Sequence, residues 1–105
     1  MEKFLQITTT TKTKKEAQEI SRVLVEKHLA ACVQVLGPIT STYRWKGKIE
    51  VAKEWLCLIK SKKNLFRKVE KTIKEIHSYE VPEIIATPII GGSKDYLAWL
   101  ENTEI

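Results

Sequence analysis

Two hydrophobic periods alternate along this chain, one of about two residues and one of about 3.6, and their order predicts its architecture. Residues 3–10, KFLQITTT, are rich in β-branched and aromatic types and predict a first strand. Thr13-Lys14-Lys15-Glu16 has the form of a capping box, which satisfies the first free N–H groups of a helix. Ala17, Ile20, Leu24 and Leu29 follow near helical spacing, so the first helix is expected over 13–29. Ala30 to Leu36 predicts a second strand. Gly37-Pro38 then marks a bulge or break, because proline cannot donate to a ladder. Extended character resumes from Ile39 to Trp45, and Lys46-Gly47-Lys48 reads as a tight turn. The third strand is expected from Ile49 to Lys60. At ~3.3 Å per residue it spans about 40 Å, so part of this hairpin should project past the body. Leu65, Val69, Ile73 and Ile76 form the stripe of a second helix over 64–77. Glu83 to Ile90 predicts a fourth strand, with Pro88 arguing for an edge or a bulge. Asp95 to Glu101 predicts a short C-terminal helix.

The order βαββαβ plus a terminal helix predicts an α+β fold. It is a ferredoxin-like sandwich with an antiparallel sheet, a long hairpin between strands two and three, and two helices on one face. One domain is expected over 1–105. In strand three Val51, Trp55, Cys57 and Ile59 point one way, and Ala52, Leu56 and Leu58 the other. The helices can cover only one face. At ~25 cal/mol per Å² of apolar surface, a second wet face would be costly, so self-association is expected.

Composition bounds the partners. The 105 residues are 43% hydrophobic and 30% charged, with a net charge of +5. That balance could serve nucleic acid. The lysines are dispersed among glutamates, however, and arginine, the main reader of bases, is scarce, so no nucleic-acid partner is expected. No apolar span of 18 residues is present, and no membrane partner is expected. Cys32 and Cys57 stand in apolar runs without a CxxC spacing. Together with the absence of a signal-peptide pattern, this predicts reduced thiols and a cytoplasmic location.

Three clusters could carry chemistry. Leu29-Ala30-Ala31-Cys32-Val33 offers a thiol that is either core packing or a soft metal ligand. Ser41, Tyr43 and Trp45 alternate on one face of the hairpin, in a run that continues through Gly47-Lys48 and closes with Glu54 and Lys60. They are either oligomer packing or the wall of a pocket. His77-Ser78-Tyr79-Glu80-Val81-Pro82-Glu83 gathers an imidazole, a phenol and two carboxylates between helix and strand. Its histidine is either a helix C-terminal residue favoured by the dipole or a ligand for copper or zinc. There is no HExxH, GxSxG, P-loop or GxGxxG pattern, and no nucleophile–base pair is visible, so an enzyme is not expected.

In this order the clusters resemble the CutA divalent-cation-tolerance family. The resemblance runs through Leu29 to Val33, Ser41 to Ile49, Glu54, Ile59-Lys60, His77 to Ile85, and Tyr96-Leu97-x-Trp99-Leu100. It implies a ferredoxin-like homotrimer similar in architecture to the PII signalling proteins, linked to tolerance of divalent metals and in some members to Cu(II). His77 is the metal-ligand candidate that the resemblance carries over. Cys32, Tyr43, Trp45, Lys60, Tyr79, Glu80 and Glu83 are candidates for an inter-subunit cleft. Two departures stand out: Ser78 replaces the family's usual proline, and Thr8, Thr9 and Thr10 stand near the place where some bacterial relatives carry a metal-linked cysteine. Possible occupants of the cleft are Cu(II) or another divalent metal, a small molecule or anion, or a protein partner.

Overall fold

In the computed structural model, residues 3–103 are described. The expected termini, 1–2 and 104–105, lie outside them. The elements run β1 (Phe4–Thr11), α1 (Lys14–Glu26), β2 (Cys32–Trp45), β3 (Lys48–Lys62), a 3-10 turn (Lys63–Leu65), α2 (Phe66–Ile76), β4 (Ile85–Pro88) and α3 (Lys94–Asn102). The sheet is antiparallel in the order β2-β3-β1-β4. This is the ferredoxin-like α+β arrangement that the element order predicts.

Local chemistry sets most boundaries. Thr13 caps α1, its Oγ1 accepting from the Glu16 N–H at 3.1 Å. The helix ends at Glu26, short of the expected residue 29, because His28 takes the left-handed region at φ 60° and turns the chain back. Lys46 (φ 51°) and Gly47 (φ 78°) close β2 onto β3 as a two-residue turn with both central residues left-handed. That turn matches the twist of a hairpin. The register of β2 on β3 shifts between Leu36 and Ile39, which is the expected bulge at Gly37-Pro38. The fourth strand is a correction. It covers only Ile85–Pro88, so Glu83 belongs to the loop before it. Its edge position accommodates Pro88.

The core lies between the sheet and the two long helices. Leu5, Ile7, Cys57 and Ile59 face Ala17, Ile20 and Leu24 of α1 and Val69 and Ile73 of α2. Strand β1 reaches β3 only as far as Thr11 opposite Trp55. Residues 48–54 of β3 therefore pair with β2 alone, and Val51, although in phase with Cys57, is 65% exposed. The molecule measures 44 Å along its longest axis and 25 Å across, as a projecting hairpin requires.

Two substitutions test the packing. A Cβ on Gly37 would lie 2.4 Å from Cδ1 of Trp55, so Gly37→Ala must displace the indole. It should lower stability by about 1–3 kcal/mol in urea unfolding. Thr9 is fully buried, and its Oγ1 has no hydrogen-bond partner. Thr9→Val keeps the shape and removes the stranded hydroxyl, so the same measurement should show about 1 kcal/mol of stabilisation.

Candidate functional site

Because β1 stops at Thr11 and the hairpin continues, the sheet has a step. The loop between α2 and β4 folds over it. Together they form a half-open cavity of about 570 Å³ lined by Thr10, Ser41, Thr42, Tyr43, Trp45, Glu54, Tyr79, Glu80, Val81 and Glu83. Five of the sequence candidates meet here: Tyr43, Trp45, Tyr79, Glu80 and Glu83.

His77 holds the loop in place. Its side chain has no exposed surface. Nε2–H donates to the carbonyl oxygen of Thr10 at 2.7 Å, and Nδ1 accepts from the Tyr79 N–H at 3.1 Å. A carbonyl can only accept and an amide N–H can only donate, so these partners fix the neutral tautomer with the proton on Nε2. Glu16 braces the next residue, accepting from the Ser78 N–H at 2.7 Å and the Ser78 hydroxyl at 3.1 Å. Ser78 thus supplies two hydrogen bonds where proline could supply neither. Beyond it the Tyr79 hydroxyl donates to Oε2 of Glu54 at 2.7 Å. Burial and the Glu54 carboxylate both push the Tyr79 phenol above its ordinary pKa.

In this geometry both His77 ring nitrogens are engaged in hydrogen bonds, and a metal on either would have to displace one of them. Among the described residues, no group of three or more His, Cys, Asp and Glu side chains is placed to hold a metal ion. Cys57 is buried, and desolvation pushes its thiol up to about 11, away from the thiolate that metals take. The described residues of one chain alone do not fit a resident copper or zinc centre.

Cys32 and Lys60 are not part of the cavity. They face each other across β2 and β3. Lys60 lies six positions beyond Glu54 on β3, which is about 20 Å of strand. The Lys60 ammonium donates to Oε1 of Gln34 there. The sequence gives Glu54 no role of its own, yet it is only 5% exposed and anchors Tyr79. Its signal was a carboxylate set among the apolar residues of β3. Thr10 and Glu16 carried no comparable signal.

A ferredoxin-like sheet with a cavity under the α2–β4 loop defines the structural class, and comparison with known proteins defines the family. Residues 5–103 match the family of the CutA1 divalent ion tolerance protein, and the chain belongs to it. It is similar to the divalent-cation tolerance protein CutA of Thermus thermophilus, with 46% identity over 88 residues, 83% of this chain and 85% of that protein. It is also 46% identical to protein CutA of Homo sapiens, over 84% of this chain but only 49% of the human protein. The Cut A1 structure from Thermus thermophilus superposes with a TM-score of 0.91 at 40% identity, covering 95% of this chain and 98% of that one.

The expected cytoplasmic location does not survive these comparisons. A 40% identical relative from Arabidopsis thaliana, matching 82% of this chain and 47% of that protein, is named chloroplastic. A structure from Archaeoglobus fulgidus is described as periplasmic; it has a TM-score of 0.92 at 39% identity, over 97% of this chain and 99% of that one. Family membership therefore carries no cytoplasmic address.

The tyrosine–carboxylate contact predicts a pH effect. The folded state raises the phenol's pKa, so its contribution is whole below the ordinary value of about 10 and is lost as pH rises above it. Stability measured by urea unfolding from pH 8 to 11.5 should fall with a component that Tyr79→Phe removes. His77→Ala strands the Thr10 carbonyl and the Tyr79 N–H. It should cost about 1–3 kcal/mol and speed amide exchange at Ser78 and Tyr79.

Proposed function

We propose that this chain acts in divalent-cation tolerance as a homotrimeric binding protein, one domain per subunit, with its functional clefts between subunits and no catalytic step of its own. The observation that carries this reading is the sheet face turned away from α1 and α2. The cavity opens on that side, where Thr10 and Glu54 lie in phase with Leu56 and Leu58. Apolar side chains remain uncovered on that face: Leu36 at 45% exposure on β2 and Ile85 at 54% on the β4 edge. Burying surface of this kind against copies of the same chain yields the association that a small domain otherwise lacks. In the trimer the hairpin reaches past its own body to a neighbour.

Any divalent metal, copper included, is then held between chains and not on His77. A soluble anion is the less favoured occupant, because the cavity lining contains three glutamates and no lysine or arginine. A protein partner recruited by the assembled trimer is the remaining reading.

Two measurements test this proposal. Light scattering at micromolar concentration should give three times the 12.1 kDa chain mass, and a stable monomer would overturn the assembly. Calorimetric titration with Cu(II) and Zn(II) should give the same affinity for wild type and for folded His77→Ala. A large loss in the variant would return the metal to His77.

A further inference from the structure

We infer that the cavity at the sheet step binds a small organic cation, a protonated or quaternary amine. The inference rests on the reading of this cavity as the functional cleft and names the chemistry of what enters it.

Charge gives the sign. Glu54, Glu80 and Glu83 line the cavity, and none of the chain's basic residues does. Glu54 is the deepest of the three. Its Oε2 is taken by the Tyr79 hydroxyl, while Oε1 has no hydrogen-bond partner among the described residues. Thr10 also lines the cavity, at only 8% exposure. Its hydroxyl is a further polar group that a ligand there can meet.

Size and wall chemistry separate an organic cation from a metal ion. A divalent ion needs several oxygen or nitrogen ligands within about 2.0–2.6 Å of one point. The acidic side chains here do not converge in that way. A volume of about 570 Å³ falls instead in the range of small-molecule sites. Three of its walls are the rings of Tyr43, Trp45 and Tyr79. Aromatic faces attract ammonium groups through their quadrupole, and glutamates at the rim and floor add Coulomb attraction. Trp45 already makes such a contact: the Lys46 ammonium stands 5.7 Å from its ring centroid. A ligand ammonium would meet the cavity walls in the same way.

The test uses the full chain in its native assembly, with mass followed by light scattering in the same samples. Choline and n-butylamine are titrated at fixed ionic strength, with Trp fluorescence and calorimetry as readouts. Acetate, inorganic phosphate and Zn(II) are titrated as comparators. Both amines should saturate, and acetate and phosphate should not. Glu54→Gln should weaken amine binding by about tenfold or more, and Trp45→Leu by about threefold or more. Should Glu54→Gln fail to fold, Glu83→Gln at the exposed rim replaces it, with a loss of about threefold expected. Absence of saturable binding by either amine, equal binding of acetate, or unchanged amine affinity in the folded glutamate variant would overturn the inference. So would Zn(II) binding that the glutamate variant abolishes while the amines do nothing. A trimer that ignores amines defeats this inference alone, whereas a monomer that binds them defeats the proposed assembly and leaves the ligand class standing.

Discussion

Unequal strand lengths shape this molecule more than any single contact. β3 runs for 15 residues and its central neighbour β1 for 8. Where β1 ends at Thr11, the sheet loses a strand, and the hairpin continues on β2–β3 pairing alone. A two-stranded ribbon is marginal by itself in water, so the free segment needs something to lie against. On one side the α2–β4 loop meets it, through the hydrogen bond from Tyr79 to Glu54. Elsewhere Ile49 and Val51 stay uncovered. The cavity and the need for association thus come from the same step in the sheet.

The loop over that step is held from three sides. His77 ties it to the end of β1, Glu16 ties it to the first turn of α1, and Tyr79 ties it to β3. Each contact joins residues far apart in sequence, and each occupies a polar group that would otherwise be stranded on partial burial. A histidine in this arrangement serves best when neutral, because its two partners require one donor and one acceptor nitrogen. The same two contacts would compete with any metal for its lone pair. The imidazole next to two glutamates suggested a ligand by residue type, whereas its partners make it a clamp.

Much of the fold was legible because period and punctuation agree. The Ala17, Ile20 and Leu24 stripe, the Thr13 cap, the Lys46-Gly47 turn and the Gly37-Pro38 bulge are local signals with local causes. The misreadings arose where a local signal met a tertiary fact. Glu83 to Ile90 reads as a strand by composition, but only Ile85–Pro88 pairs with β1 as a ladder, with one further bond from the Ile89 N–H to the Phe4 carbonyl. Cys32 and Lys60 fall beside the other candidates in the sequence motifs, yet strand geometry carries them about 20 Å from Glu54. Glu54 was visible in the hairpin motif, but without a role of its own. Its importance depends on where β1 stops and on a tyrosine 25 positions away, which no spacing rule connects.

Charge is distributed against the bulk composition, and that bears on what the cavity admits. The chain as a whole carries +5, yet the cavity lining carries three glutamates and no basic side chain. At physiological salt the Debye length is about 8 Å, so the dispersed surface lysines contribute little to the potential inside a partly enclosed site. The nearest carboxylates decide it, and low-dielectric aromatic walls strengthen their field. A basic protein can therefore present a locally cationophilic site, and net charge misleads about ligand sign here. The overall basicity still matters at long range and low salt, where it slows the approach of any cation. Selectivity of the site is then set at contact, by Glu54 and the rings, and not by steering.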